Sequence, residues 1–228
     1  MLLYTSYPAS GNLNNRLIPT EVPQEYRDVN AWLREREGLY RVWWVPESLE
    51  VMFHYTWAPQ PFTGGWVLST SSKPYFSSAL SEYLYQQGLL ERRSNHVGKI
   101  LSIAGVKYII LHADLQHSQY VLPNIQELNV LSTSLQHQKD LEMSYNTGFI
   151  YVFENKEYVS SVYASPEVAI VVGDVFTVLT SLAELDNFYP RDYVLASTEQ
   201  LSSSYIEQLL PLSSVVIFSG HKGLEDLY

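Results

Sequence analysis

The sequence has no cysteine, so a disulfide framework and any thiolate metal site are excluded. Charge is also scarce. Only 17% of residues are Asp, Glu, Lys or Arg, and 14 basic residues against 24 acidic ones leave a net charge of −10. That balance argues against a nucleic-acid surface and against an anionic membrane surface. No apolar run reaches the roughly 18 residues that a membrane span requires. Met1-Leu2-Leu3 gives way at once to Tyr4, Thr5 and Ser6, so no signal peptide is read there. The chain also lacks an Asn-x-Ser/Thr acceptor, a Gly-x-Gly-x-x-Gly fingerprint and a Walker lysine. No cofactor is predicted.

What is present is apolar and aromatic. Hydrophobic residues make up 46% of the 228 and aromatics 14%, enough to fill a substantial core. Residues 1–22 are polar, with Asn12, Asn14 and Asn15 around Gly11, and read as a linker. Residues 23–165 read as a mixed α/β domain. Pro23 opens a helix with Val29, Trp32 and Leu33 on one face and Gly38 as its stop. Arg41 to Val45 reads as a strand. Ser77 to Gly88 and Leu89 to Ala104 read as helices, the second broken near Ser94. Ile100, Leu101, Ile103 and Ala104 have helical spacing, Gly105 stops the helix, and Val106 to Leu111 reads as a buried strand. Pro123 to His137 is a further helix, and Asn146-Thr147-Gly148 is expected to turn a β-hairpin.

Residues 166–228 change rhythm. Val168–Val172, Tyr193–Ala196 and Val215–Phe218 read as strands, separated by helices over Val175–Leu185 and Ser202–Leu210. This β-α-β-α-β order predicts a Rossmann-like parallel unit. With three strands and a last helix begun at Gly220, the unit reads as incomplete, a piece of a longer protein. The fold class is therefore α/β, with a mixed α+β first part.

Three groups of residues are candidates for chemistry. Between Glu47 and Tyr75 the periodicity dissolves into aromatics among prolines and glycines, and long loops of this kind are commonly functional. Tyr55, Trp57 and Trp66 could stack on sugar rings while Glu47 and Gln60 hold hydroxyls; equally, the tryptophans could pin the loop to the core. His112, Asp114 and His117 lie at and beyond a strand end, where the first two share a side and could serve a divalent metal. Gly173-Asp174, with Ser197 and Ser219-Gly220, falls at the carboxyl edge of the parallel unit, where ligands bind in open α/β sheets; turn residues and helix caps have the same composition. No paired acid/base or nucleophile constellation accompanies them.

Several features together carry a resemblance. They are Glu25-Tyr26, Trp32-Leu33, Gly38, Arg41-Val42, Leu101, the run Gly105 to Ile110, and the run Phe149 to Asn155. Over residues 23–165 the chain resembles the region that follows the transmembrane helices in YfhO-like and 6-pyruvoyl-tetrahydropterin synthase-related polytopic membrane proteins, akin to the glycosyltransferase C superfamily. The resemblance implies an extracytoplasmic location, a parent that handles lipid-linked sugars, and the transmembrane portion of that parent as partner. Trp43-Trp44 invites comparison with the tryptophan-tryptophan-aspartate motif of oligosaccharyltransferases, but Val45-Pro46 follows and the acid is missing. The expectation is an accessory or glycan-contacting module without catalytic residues of its own. The alternatives are a structural or protein-interaction module, or a small-molecule enzyme at Gly173-Asp174.

Overall fold

The computed structural model describes residues 21–46, 52–53, 56, 62–63, 71–115, 125–160, 167–197, 201–213 and 215–218. Helix α1 (Gln24–Arg34) follows Pro23 and carries Glu25 in its first turn and Arg34 in its last, both favourable to the helix dipole. Tyr26, Val29 and Leu33 bury its inner stripe. Asn30 on the same stripe is satisfied by donating to Tyr26 O (2.8 Å) and accepting from Ser72 N (2.7 Å). Gly38, at φ +103°, takes the left-handed turn that releases the chain into β1 (Arg41–Val45).

Two-residue strands β2 (Met52–Phe53) and β3 (Phe62–Thr63) pair antiparallel. Helix α2 (Ala79–Tyr83) starts from a capping box between Ser78 and Ser81, then widens into a π-helical segment over Leu84–Leu90. The expected helix Ser77–Gly88 is thus present but only partly α. Helix α3 (Val97–Ser102), Gly105 at φ +65° and β4 (Val106–His112) reproduce the helix–glycine–strand unit read from the sequence.

Helix α4 (Ile125–His137) then leads into the hairpin β5 (Leu141–Thr147) and β6 (Ile150–Asn155). Its turn is Gly148-Phe149, displaced from the expected Asn146-Thr147-Gly148. Thr147 pairs with Ile150, and Gly148 takes the first turn position with φ +52°, where glycine avoids the Cβ penalty.

Strands β1, β4, β6 and β5 form one sheet in that order, with β1 parallel to β4 and the other neighbours antiparallel. The period of two sends Trp44, Tyr108 and His112 to the face that α1 covers, where Tyr26 stacks on Trp44 at 6.0 Å and Trp32 meets Tyr108 edge-on at 5.0 Å. Trp43 takes the other face, against Phe76. Both tryptophans are fully buried, so Trp43-Trp44 is core in this chain. The β1–β4 register passes from Arg41–Val106 to Val42–Tyr108, leaving Lys107 as a bulged residue.

The second sheet has the order β8 (Tyr193–Ser197), β7 (Glu167–Val172), β9 (Val215–Phe218), all parallel. Helices α5 (Val175–Ala183) and α6 (Ser203–Leu209) make the crossovers, so the predicted β-α-β-α-β unit is observed. Helix α5 packs on α3, and polar side chains tie the units together. Ser94 Oγ and Asn95 N both donate to Glu184 Oε1 (2.8 and 2.9 Å). Among the described residues no helix is long and apolar enough to cross a membrane.

Candidate functional site

Parallel strands β1 and β4 end side by side, with Val45 paired to Leu111. Ligands in α/β sheets gather at such carboxyl edges. The edge is built on a buried polar knot. Asp114 lies two residues beyond β4 and turns back, so that its Oδ1 is 2.9 Å from His112 Nδ1. Tyr26 on α1 donates its hydroxyl to Asp114 Oδ2 at 2.8 Å. His112 Nε2 lies 2.8 Å from the carbonyl oxygen of Pro46, immediately after β1. His112 and Asp114 are essentially inaccessible to solvent.

The proton count follows from the partners. A carbonyl can only accept, so Nε2 carries a hydrogen and donates it to Pro46. The short Nδ1–Oδ1 contact then needs one proton between ring and carboxyl, as imidazolium with carboxylate or imidazole with carboxylic acid. Either way the pair has no net charge, which is what a dry site tolerates. Both ring nitrogens are committed inside the chain. The metal expectation therefore finds His112 and Asp114 together but engaged with Pro46 and Tyr26, while His117 lies outside the described residues. Among the described residues no three His, Cys, Asp or Glu side chains group to hold a metal.

The knot also holds part of the aromatic segment. Thr56 N donates to Asp114 O at 2.7 Å, and β2 pairs with β3 on either side of it in sequence. Glu47, Tyr55, Trp57, Gln60 and Trp66 lie outside the described residues. What the structure describes is a buried His–Asp–Tyr unit between two strand ends, bonded to Thr56.

At Gly173-Asp174 the geometry is that of a helix start. Gly173 has φ +96°, and Asp174 accepts from Phe176 N and Thr177 N (both 3.2 Å) and from the Thr177 hydroxyl as the N-cap of α5. Ser197 ends β8, and Ser219 and Gly220 lie outside the described residues.

Two further clusters escape a reading based on motifs. At the amino-terminal end of β4, an open cleft of about 410 Å³ is lined by Lys107, Glu142, Glu154, Asn155, Lys156 and Tyr158. Behind it, Asn155 Nδ2 donates to Gly98 O and Val106 O (both 3.0 Å), and Asp140 Oδ2 accepts from Lys99 N at 2.7 Å. Burial raises the Asp140 carboxyl above its ordinary value, against the lowering effect of backbone donors from Lys99 and Gly98 and of nearby His96. Alternation could have flagged Glu154, but its cross-strand neighbours cannot be read without the register.

No family model and no curated protein matches the chain. Solved structures do. The cryo-EM structure of arabinofuranosyltransferase AftD from Mycobacteria superposes with a TM-score of 0.53 and 13% identity, over 71% of this chain and 15% of that one. A mutant form of the same enzyme gives a TM-score of 0.52 at 13% identity, over 72% of this chain and again 15% of that one. This fold recurs inside an arabinofuranosyltransferase. The likeness is one of architecture, and the chain spans about a seventh of that protein's length.

Proposed function

We propose that the chain is an extracytoplasmic part of a membrane glycosyltransferase-like protein, and that it contacts a glycan or lipid-linked sugar without itself carrying out transfer. The observation that carries this reading is the fold shared with a 15% portion of AftD, an enzyme whose name states that it transfers arabinofuranose. The resemblance over residues 23–165 to YfhO-like and 6-pyruvoyl-tetrahydropterin synthase-related membrane proteins, akin to the glycosyltransferase C superfamily, points the same way. The contacting surface proposed is the aromatic segment between Glu47 and Tyr75. There Trp57, Trp66 and Tyr55 stack on sugar rings, and Glu47 and Gln60 take hydroxyls.

The test is a titration of the chain with short neutral oligosaccharides, followed by tryptophan fluorescence. Trp43 and Trp44 are buried and supply a constant background. Trp57→Ala and Trp66→Ala should each weaken affinity by roughly threefold to tenfold, the worth of one aromatic contact. Unchanged affinity in both variants sinks the stacking proposal.

A second reading, an interaction module that docks on the transmembrane portion of its own parent, is favoured by the second sheet. Val194, Tyr205, Leu210, Leu212 and Val216 there are all at least 40% exposed, and α6 has no buried residue. Replacing Val194 and Val216 by serine should then weaken association with the parent's membrane portion and leave saccharide binding unaltered.

A further inference from the structure

The geometry points to the cleft at the amino-terminal end of β4 as a second subsite, one that takes a neutral sugar ring. This inference rests on the glycan-contacting reading and places a contact at the opposite end of β4 from the His112–Asp114 knot.

The volume, about 410 Å³, lies within the ~300–1,000 Å³ typical of small-molecule pockets. Its lining is unlike theirs, since such pockets are mostly apolar and this one has a single aromatic wall, Tyr158, among charged and amide groups. A ligand that prefers this lining is one covered in hydroxyls.

The charges are arranged unusually for a structural strip. Glu142 and Glu154 stand directly opposite one another on β5 and β6, a like-charge pairing that destabilises a sheet. The lysines stand at the two ends, with Lys107 Nζ 3.8 Å from Glu154 Oε1 and Lys156 Nζ 3.3 Å from Glu142 Oε2. The wall therefore reads ammonium, carboxylate, carboxylate, ammonium, with no net charge. An anion finds its lysines already matched, and a cation meets two ammonium groups. A vicinal diol fits, since each hydroxyl can donate to a carboxylate and accept from an ammonium.

The wall is also held in place. Lys107 is the bulged residue of β4, and its ammonium lies 5.2 Å from the Tyr108 ring and 5.7 Å from that of Tyr158. Tyr158 donates its hydroxyl to Leu39 O at 2.8 Å. Asn155 forms the floor, its amide bonded to Gly98 O and Val106 O and its Oδ1 accepting from Glu157 N at 3.0 Å. The part of the wall formed by Lys107, Tyr158 and Asn155 is held before the ligand arrives and loses less entropy on binding.

The experiment is a two-dimensional amide NMR titration of the full chain with methyl glycosides of neutral pentoses and hexoses, up to about 100 mM, well above a weak ~1 mM Kd. Saturable shifts at Glu142 and at 154–158, weakened about tenfold by Glu142→Gln with Lys156→Ala, are expected. Both positions are well exposed, so the double variant folds. Absence of such shifts, shifts unaltered in the double variant, or tighter binding of a uronate or inorganic phosphate than of any neutral glycoside would each overturn the inference. If the cleft is silent while Trp57→Ala and Trp66→Ala abolish saccharide binding elsewhere, this subsite fails and the glycan-contacting function stands. If both are silent, both fail.

Discussion

Lys99 on α3 donates through its ammonium to the backbone carbonyl of Leu185, at 2.8 Å, just beyond the end of α5. The same Nζ donates to Ala183 O at 3.2 Å and lies 4.9 Å from the Tyr189 ring. Lys99 is only 4% exposed, and its charge faces the negative end of the helix and the carbonyl oxygens of Ala183 and Leu185. One side chain of the four-stranded unit thereby caps a helix of the three-stranded one.

Replacing Lys99 with Met keeps the aliphatic stem and removes both donors. We expect a loss of about 1–3 kcal/mol, the worth of hydrogen bonds made by a charged donor. The loss should be uneven. Amide hydrogen exchange should accelerate across 167–185 while β4 and β6 remain protected, because the severed contact lies between the units. Uniform acceleration would mean that Lys99 serves the whole fold.

The knot that holds Thr56 leads to a separate prediction. Tyr26→Phe keeps the ring stacked on Trp44 and removes the donor to Asp114 Oδ2. Removing a donor from a buried carboxyl costs about 1–3 kcal/mol, measurable as a lower urea midpoint. Because Thr56 N is held by Asp114 O, the variant should also bind saccharide less tightly at the aromatic segment. A variant that loses stability and keeps full affinity would separate the knot from the loop it anchors.

Much of this is legible in the sequence. The unit from α3 to β4 could be read because helical spacing, a glycine and a β-branched run all point the same way. The parallel second sheet followed from continuous apolar strands alternating with helices. What stayed hidden depends on distance in sequence or on register. Tyr26 and Asp114 are bonded across 88 positions, and a tyrosine at a core spacing gives no sign of its hydroxyl's partner. Glu142 and Glu154 become neighbours only once the hairpin register is set, and that register turned on Gly148 rather than on the Asn146-Thr147 before it. The π-helical segment after Tyr83 carries no local pattern, and the tight packing at Gly88, where an added Cβ would stand 3.2 Å from Val97 Cγ2, depends on a residue nine positions on.

Gly98 is required for a close approach, not for its torsions. A Cβ there would stand 2.5 Å from Asn155 Oδ1 and 2.8 Å from Asp140 Cγ. Both side chains are tethered by hydrogen bonds and cannot withdraw cheaply. Gly98→Ala should cost about 1–3 kcal/mol, as overpacking does, despite alanine's higher helix propensity. Thermal or urea unfolding checks this. The double variant Gly98→Ala with Asn155→Ala should cost less than the sum of the singles, because the tighter of the two clashes disappears with the amide while that with Asp140 remains.

Asp140 supplies the pH dependence. Burial raises its carboxyl above the ordinary 3.8, outweighing the backbone donors of Lys99 and Gly98 and the influence of His96. Its Oδ1 has no hydrogen-bond partner among the described residues. Between the unfolded value and the raised native value, the native chain holds the proton and the unfolded chain has released it. Stability therefore falls as pH rises through that window, and the penalty is complete above the native value. Carboxylates with lowered native values act in the opposite sense, so the contribution of Asp140 is isolated by difference. Asp140→Asn cannot ionise and retains an oxygen for Lys99 N. The stability of the native chain minus that of Asp140→Asn, from urea unfolding at a series of pH values, should decline from about pH 4 upward and then level off. A difference that rises with pH would mean that the buried carboxylate is favoured in the fold, through stronger pairing with His96 and the helix amides than its burial opposes.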